Sequence, residues 1–259
     1  MTAEEKTSIA RFLDLAEDFL TSGYRRDRKE YSFSDDEEPP AEPGIPLAYM
    51  VEEPSNSEEA ADSQESSDSD NPLETLYAKI NMCKNCGLAA SRTRVVPGEG
   101  VSNPLVMVIG EGPGADEDAA GRPFVGRAGQ LLDRMLASIK LSRETNCYIA
   151  NMVKCRPPEN RDPAPEEIAA CYPFLEQQIQ MLLPKVIVCA GRIAAQNLLR
   201  TSQGISTLRG RFYEVKLENG SVIPVLPIFH PSAILRDPNN NRRPAWEDLQ
   251  LLRAKLDEM

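Results

Sequence analysis

The chain has 259 residues, enough for one sizeable domain with appended segments, and a formal charge of −11. That charge is uneven: residues 1–70 hold 20 acidic and 6 basic side chains, and residues 71–259 hold 20 acidic and 23 basic. The acidic balance of the whole chain therefore does not exclude a polyanionic ligand for the second part, whereas no stretch approaches the roughly 18 apolar residues of a membrane helix.

Residues 1–23 read as an amphipathic helix, with Ile9, Phe12, Leu13, Ala16, Phe19 and Leu20 at helical spacing and Gly23 as a stop. Residues 24–70 are acidic and rich in serine and proline, too poor in apolar surface to order alone, and read as a disordered linker. The helix and the acidic tail are the places where a protein partner would dock. The N-terminus is acidic and carries no secretory signal, so the expectation is a cytoplasmic protein whose cysteines stay reduced or bind metal.

A globular domain spans residues 71–259. It opens with a short helix marked by Leu73, Leu76, Tyr77 and Ile80, which runs into the CxxC of Cys83 and Cys86. Four continuous apolar runs follow, at 105–110, 147–151, 185–190 and 222–229. Such runs suit parallel strands covered on both faces. Helical segments at 129–139, 165–183 and 192–199 alternate with them, residues 209–217 alternate weakly as an antiparallel strand or hairpin would, and 244–258 forms a closing helix with the single tryptophan, Trp246. The pattern predicts an α/β fold, a three-layer α/β/α domain.

The glycine-rich loop GEGPGADEDAAGRPFVGRAG, residues 110–129, leaves the first of these strands. It is not a dinucleotide loop: Gly110, Gly112 and Gly114 bring the third glycine one residue early, and no Walker lysine follows. Helix capping accounts for the acidic cluster around Glu117 but not for PFVGRAG. Asn151 ends the second strand, and the only histidine, His230, follows the fourth in HPSAILR. Strand ends thus converge Glu111, Asn151 and His230 on one edge, where α/β proteins bind ligands. An amide reads a donor–acceptor edge, Phe124 offers a stacking face, and a histidine can donate to an oxygen that gains charge. Together they suit a flipped-out pyrimidine.

Of the six cysteines, Cys147 and Cys189 lie inside apolar strands and read as inert core. Cys83, Cys86, Cys155 and Cys171 suit an iron–sulfur cluster or zinc, although their spacing is too long for a zinc ribbon.

The glycine-rich loop, NMVKCRPPENRDP and HPSAILR, together with Cys83, Cys86, Cys155 and Cys171, resemble the iron–sulfur, family 4 type of uracil-DNA glycosylase over roughly residues 73–255. The resemblance implies a central four-stranded parallel sheet, a [4Fe–4S] cluster on those four cysteines, and hydrolysis of the N-glycosidic bond of deoxyuridine in uracil-containing DNA by a monomer with no membrane attachment. By motif, Glu111 opens the pocket and helps place water, Phe124 stacks on uracil, Asn151 binds its polar edge, and His230 stabilises the charge on the departing base. Glu117 and Asn160 match positions that hold the motif loops together. Ser232, Leu235 and Arg236 belong to the loop that would enter the minor groove, with Leu235 or Arg236 replacing the extruded base. Gly112 stands where such families often have alanine, which implies a looser uracil pocket. Competing expectations are a catalytically silent DNA-binding or polymerase-accessory module of the same fold, an iron–sulfur electron carrier, and a glycosylase for hypoxanthine or xanthine.

Overall fold

A computed structural model describes residues 72–217 and 219–259. The amphipathic helix at 1–23 and the acidic linker at 24–70 lie outside the described residues. Within them, a central sheet of six strands has the order β1-β3-β2-β4-β6-β5. The four inner strands are β2 (Val106–Gly110), β3 (Cys147–Asn151), β4 (Val186–Ala190) and β6 (Val222–Ile228), all parallel. They are the four apolar runs of the sequence, and β2, β3 and β4 are buried along their whole length. Alternate residues face opposite layers. Met107 and Ile109 pack with Leu175, Ile179 and Ile193 of α4 (Pro165–Leu182) and α5 (Arg192–Leu199). Val106 and Val108 pack with Leu132, Met135 and Leu249 of α3 (Arg127–Ala137) and α8 (Pro238–Asp257). Two apolar layers on one sheet give the α/β/α sandwich.

The sheet exceeds the expected four strands by two short antiparallel edges. β5 (Tyr213–Lys216) pairs with β6 and alternates in burial, as its sequence does. β1 (Glu99–Gly100) has only two residues and pairs with β3. Its pairing rests on glycine: a Cβ at Gly100, where φ is +144°, would stand 2.2 Å from the Cys147 carbonyl oxygen.

Three helices differ from the sequence expectation. The glycine-rich loop contains a six-residue helix, α2 (Ala115–Ala120), and α3 begins at Arg127 rather than at 129. The closing helix α8 starts at Pro238, not Pro244: Asp237 caps it by accepting the Asn240 N–H at 3.3 Å, and proline is favoured at a first helical position. Pro244 is then an interior proline. Two further short helices are α6 (Ile205–Leu208) and, directly after His230, α7 (Pro231–Arg236). The opening helix α1 (Pro72–Asn81) ends just before the CxxC, as expected.

Candidate active site

Parallel pairing sets Gly110 opposite Asn151, so β2 and β3 end level with each other; β4 and β6 run beside them, with Ala190 opposite Ile228. At this edge lies a cleft of about 530 Å³, and its lining includes Glu111, Gly112, Glu117, Phe124, Asn151, Asn160, His230, Ser232 and Arg236. The structure thus brings nine of the sequence-selected residues to one place. Leu235 is the exception: it is half-buried and packs on the α3/α8 apolar layer, whereas Arg236 is exposed at the cleft wall. Of the two side chains expected to fill the space of an extruded base, Arg236 is the accessible one.

Asn151 is 1 % exposed, and its amide oxygen has no hydrogen-bond partner among the described residues. Burying such an acceptor unpaired costs about 1–3 kcal/mol, which marks it as shaped for a donor from outside the chain. Gly110 makes room for it. A Cβ there would meet Asn151 Oδ1 at 2.4 Å and the Phe124 ring at 2.6 Å. Phe124 sits at φ 52°, in the left-handed region, and its ring lies 5.6 Å from the His230 ring with a 31° tilt.

His230 caps α7. Its Nδ1 accepts the Ser232 N–H at 3.1 Å and lies 2.8 Å from Ser232 Oγ, which in turn accepts from Arg236 Nη1 at 3.3 Å. With Nδ1 accepting, the ring proton resides on Nε2. Burial, with the nearby Arg236 cation, pushes the imidazole pKa down to about 4, so the ring is neutral at pH 7. Burial and the neighbouring Asp162 push the Glu111 carboxyl up, against the pull of Arg192 and Arg236.

Glu117 ties the glycine-rich loop to itself: Oε1 accepts from Val125 N at 2.8 Å and Gly126 N at 2.9 Å, and Oε2 accepts from Gly114 N at 3.1 Å. Asn160 accepts from Arg156 Nε at 2.8 Å, in a turn where Glu159 and Asn160 both have positive φ. Asp118, read as a capping group, is instead a buried tether that accepts the Thr93 and Arg94 N–H groups. Gly112 also departs from its expectation. A Cβ there would point at Val153 Cγ2, at 2.8 Å, so the missing methyl is matched by the bulk of a neighbouring side chain. Sequence reasoning passed over Arg192 and Asp162, an ion pair on the cleft wall. The signal for Arg192 was its place just after Gly191, the glycine that follows β4.

A second, narrow cavity lies on the flank of the sheet and is lined by Cys83, Cys86, Cys155 and Cys171. Cys171 stands inside α4, within the helical segment expected at 165–183. Arg92 Nη1 donates to Cys155 Sγ at 3.1 Å and Nη2 to the Cys83 carbonyl at 2.8 Å; the Lys154 N–H donates to Cys171 Sγ at 3.3 Å, and the Asn85 N–H to Cys83 Sγ at 3.5 Å. Among the described residues, no three His, Cys, Asp or Glu side chains are arranged to hold a single metal ion. Cys147 and Cys189 are fully buried in strands, and burial pushes both thiols well up, Cys147 to about 12, as inert core residues require.

Comparison with known proteins settles the lineage. Residues 97–250 match the family model described as the uracil DNA glycosylase superfamily. The chain belongs to that superfamily. Within the superfamily, it is 45 % identical to the type-4 uracil-DNA glycosylase of Archaeoglobus fulgidus over 170 residues, 64 % of this chain and 84 % of the relative. It is 41 % identical to the type-4 uracil-DNA glycosylase of Sulfurisphaera tokodaii over 70 % of this chain and 83 % of the relative. The type-4 uracil-DNA glycosylase of Thermotoga maritima is 42 % identical over 69 % of this chain and 91 % of that protein. These matches place the chain on the type-4 branch of the superfamily.

Proposed function

We propose that this chain is a DNA-repair uracil-DNA glycosylase, which hydrolyses the bond between uracil and deoxyribose and leaves an abasic site. The observation that carries the reading is the unpartnered amide oxygen of Asn151, sealed in the cleft beside Phe124 and His230. Uracil offers an N3–H to such an acceptor, whereas cytosine presents a bare N3 lone pair and would leave it unpaired.

Chemistry follows from where charge develops. As the glycosidic bond breaks, uracil leaves as an anion and the sugar gains oxocarbenium character. The neutral imidazole of His230 donates its Nε2 proton as a hydrogen bond to the uracil oxygen that gains charge. Such a donor is worth about 3–4 kcal/mol. Phe124 stacks on the base, Gly112 backs it, and Glu111 helps place the attacking water. Glu117 and Asn160 keep the motif loops in register. Ser232 fixes the imidazole through Nδ1, and Arg236 reaches the DNA.

Cys83, Cys86, Cys155 and Cys171 would hold a [4Fe–4S] cluster. Four thiols share one cavity whose described lining has no carboxylate, and N–H groups of Arg92, Asn85 and Lys154 point at the sulfurs. The cluster would join the turn after α1 to β3 and α4, a fastening role with no redox step. Residues 1–70 would engage a protein partner, and the glycosylase domain, residues 71–259, would act as a monomer. No helix among the described residues is long and apolar enough to cross a membrane.

The test is an oligonucleotide carrying one deoxyuridine. Protein purified without oxygen, with 400 nm absorbance and about four irons per chain, is expected to release uracil and leave an alkali-labile site. Intact strands after prolonged incubation would reject the enzyme reading in favour of a silent DNA-binding module.

A further inference from the structure

We propose that Arg143 positions the stacking ring: its buried guanidinium grips the carbonyls of Pro123 and Phe124 and holds Phe124 in the conformation that presents its ring to the base. The proposal rests on the reading that Phe124 stacks on uracil.

Arg143 is 6 % exposed and lies between α3 and β3, outside the cleft lining. Nη1 donates to the Pro123 carbonyl and Nη2 to the Phe124 carbonyl, both at 2.9 Å. Asp133 of α3 orients the guanidinium, accepting Nε at 3.1 Å and Nη2 at 2.7 Å. Glu99 of β1 adds a carboxylate 3.7 Å from Nη1, and is itself held by Arg122 at 2.8 and 2.6 Å. One side chain therefore fastens the end of the glycine-rich loop to an edge strand and a helix.

The loop needs that fastening. Phe124 has φ 52°, a left-handed backbone that bulky residues seldom adopt and that persists only where surroundings enforce it. Three further contacts box the residue in. A Cβ on Gly129 would stand 1.9 Å from the Phe124 carbonyl oxygen, so the first turn of α3 lies directly against it. The ring tip lies where a Cβ on Gly110 would go, and the His230 ring faces it. Of these contacts, only Arg143 supplies hydrogen bonds to the carbonyl on which the left-handed turn depends. Two neighbouring carbonyls and a carboxylate match the planar fork of a guanidinium; an ammonium of equal charge cannot meet all three from one point.

The test is a double-mutant cycle on the full chain with its cluster intact. Arg143→Lys is expected to lower the single-turnover excision rate about ten- to a hundredfold, the scale of a misplacement near 1 Å, and to weaken inhibition by free uracil. Phe124→Ala is expected to be slow as well, and the double variant no slower than Phe124→Ala alone, because Arg143 would then have no ring to place. A merely structural arginine would instead slow both backgrounds by the same factor, and that result overturns the proposal. So does an R143K rate within threefold of wild type, or an F124A variant as fast as wild type. If R143K does not fold, Asp133→Asn replaces it in the same cycle, with an expected loss of about three- to tenfold that vanishes beside F124A. A wild-type chain that leaves uracil in DNA overturns the glycosylase reading and this proposal together, whereas an active wild type with an insensitive R143K overturns the proposal alone.

Discussion

In the cleft, polar groups await something from outside. Among the described residues the Asn151 amide oxygen is unpaired and His230 Nε2 has no protein partner, and Glu111 is held above its usual carboxylate range by burial. In the cysteine cavity the donors are already spoken for. Arg92 bonds a sulfur and a carbonyl, and the backbone of Lys154 and Asn85 is aimed at thiols. A region that is to turn substrate over keeps unsatisfied groups and tolerates their cost; a region that would hold a permanent group has donors already turned toward its sulfurs.

That contrast can be broken from either side. The largest effect belongs to His230→Ala, expected to slow single-turnover excision by about two orders of magnitude or more, with the 400 nm absorbance unchanged; a rate within threefold of wild type would strip His230 of its role. In the wild type, activity should show no inflection near pH 6.5, because the ring titrates at about 4. The folded pKa lies below the unfolded value, so the stability linked to this ring is complete above pH 6.5 and is lost as pH falls from 6.5 toward 4, a trend that thermal melts across that range would reveal. Next comes Asn151→Asp, which replaces the amide's NH₂ donor with an acceptor and buries a carboxylate. It should slow uracil excision by about tenfold or more, and unchanged kinetics would contradict the base-reading role.

Cys155→Ser acts on the other region. It should abolish the 400 nm absorbance and lower the melting temperature by about 5 °C or more, while the molecules still folded excise uracil at nearly the wild-type rate. A folded variant that melts normally but cannot excise would instead give the cysteines a part in the chemistry. The smallest effect is expected of Gly112→Ala. Its methyl group would press first on Val153, at 2.8 Å, so discrimination between uracil and thymine should stay within about threefold, and Val153→Ala should recover any lost stability. A large change in thymine rejection would restore the looser-pocket reading.

Much of this architecture was legible before any coordinates. Strands buried on both faces write themselves as unbroken apolar runs, and chemistry-bearing residues at the ends of such runs share an edge by topology alone. What escaped was fixed by tertiary contact. The strand β1 has no periodicity to read, since two residues and a close glycine approach define it. The start of α8 was hidden because Pro244 looked like a beginning, while the true start is a cap two positions before Asn239. Arg143 carries no signal in the sequence; its distance to two carbonyls distinguishes it. The direction of the absent Gly112 methyl likewise depends on where Val153 packs.

The solitary oxygen of Asn151 carries one more consequence. A hydrocarbon side chain of similar shape at that position would relieve the resting fold of about 1–3 kcal/mol. Such a chain would be harder to melt and, if residue 151 reads the base as proposed, unable to recognise uracil. Heat resistance and repair therefore pull on residue 151 in opposite directions.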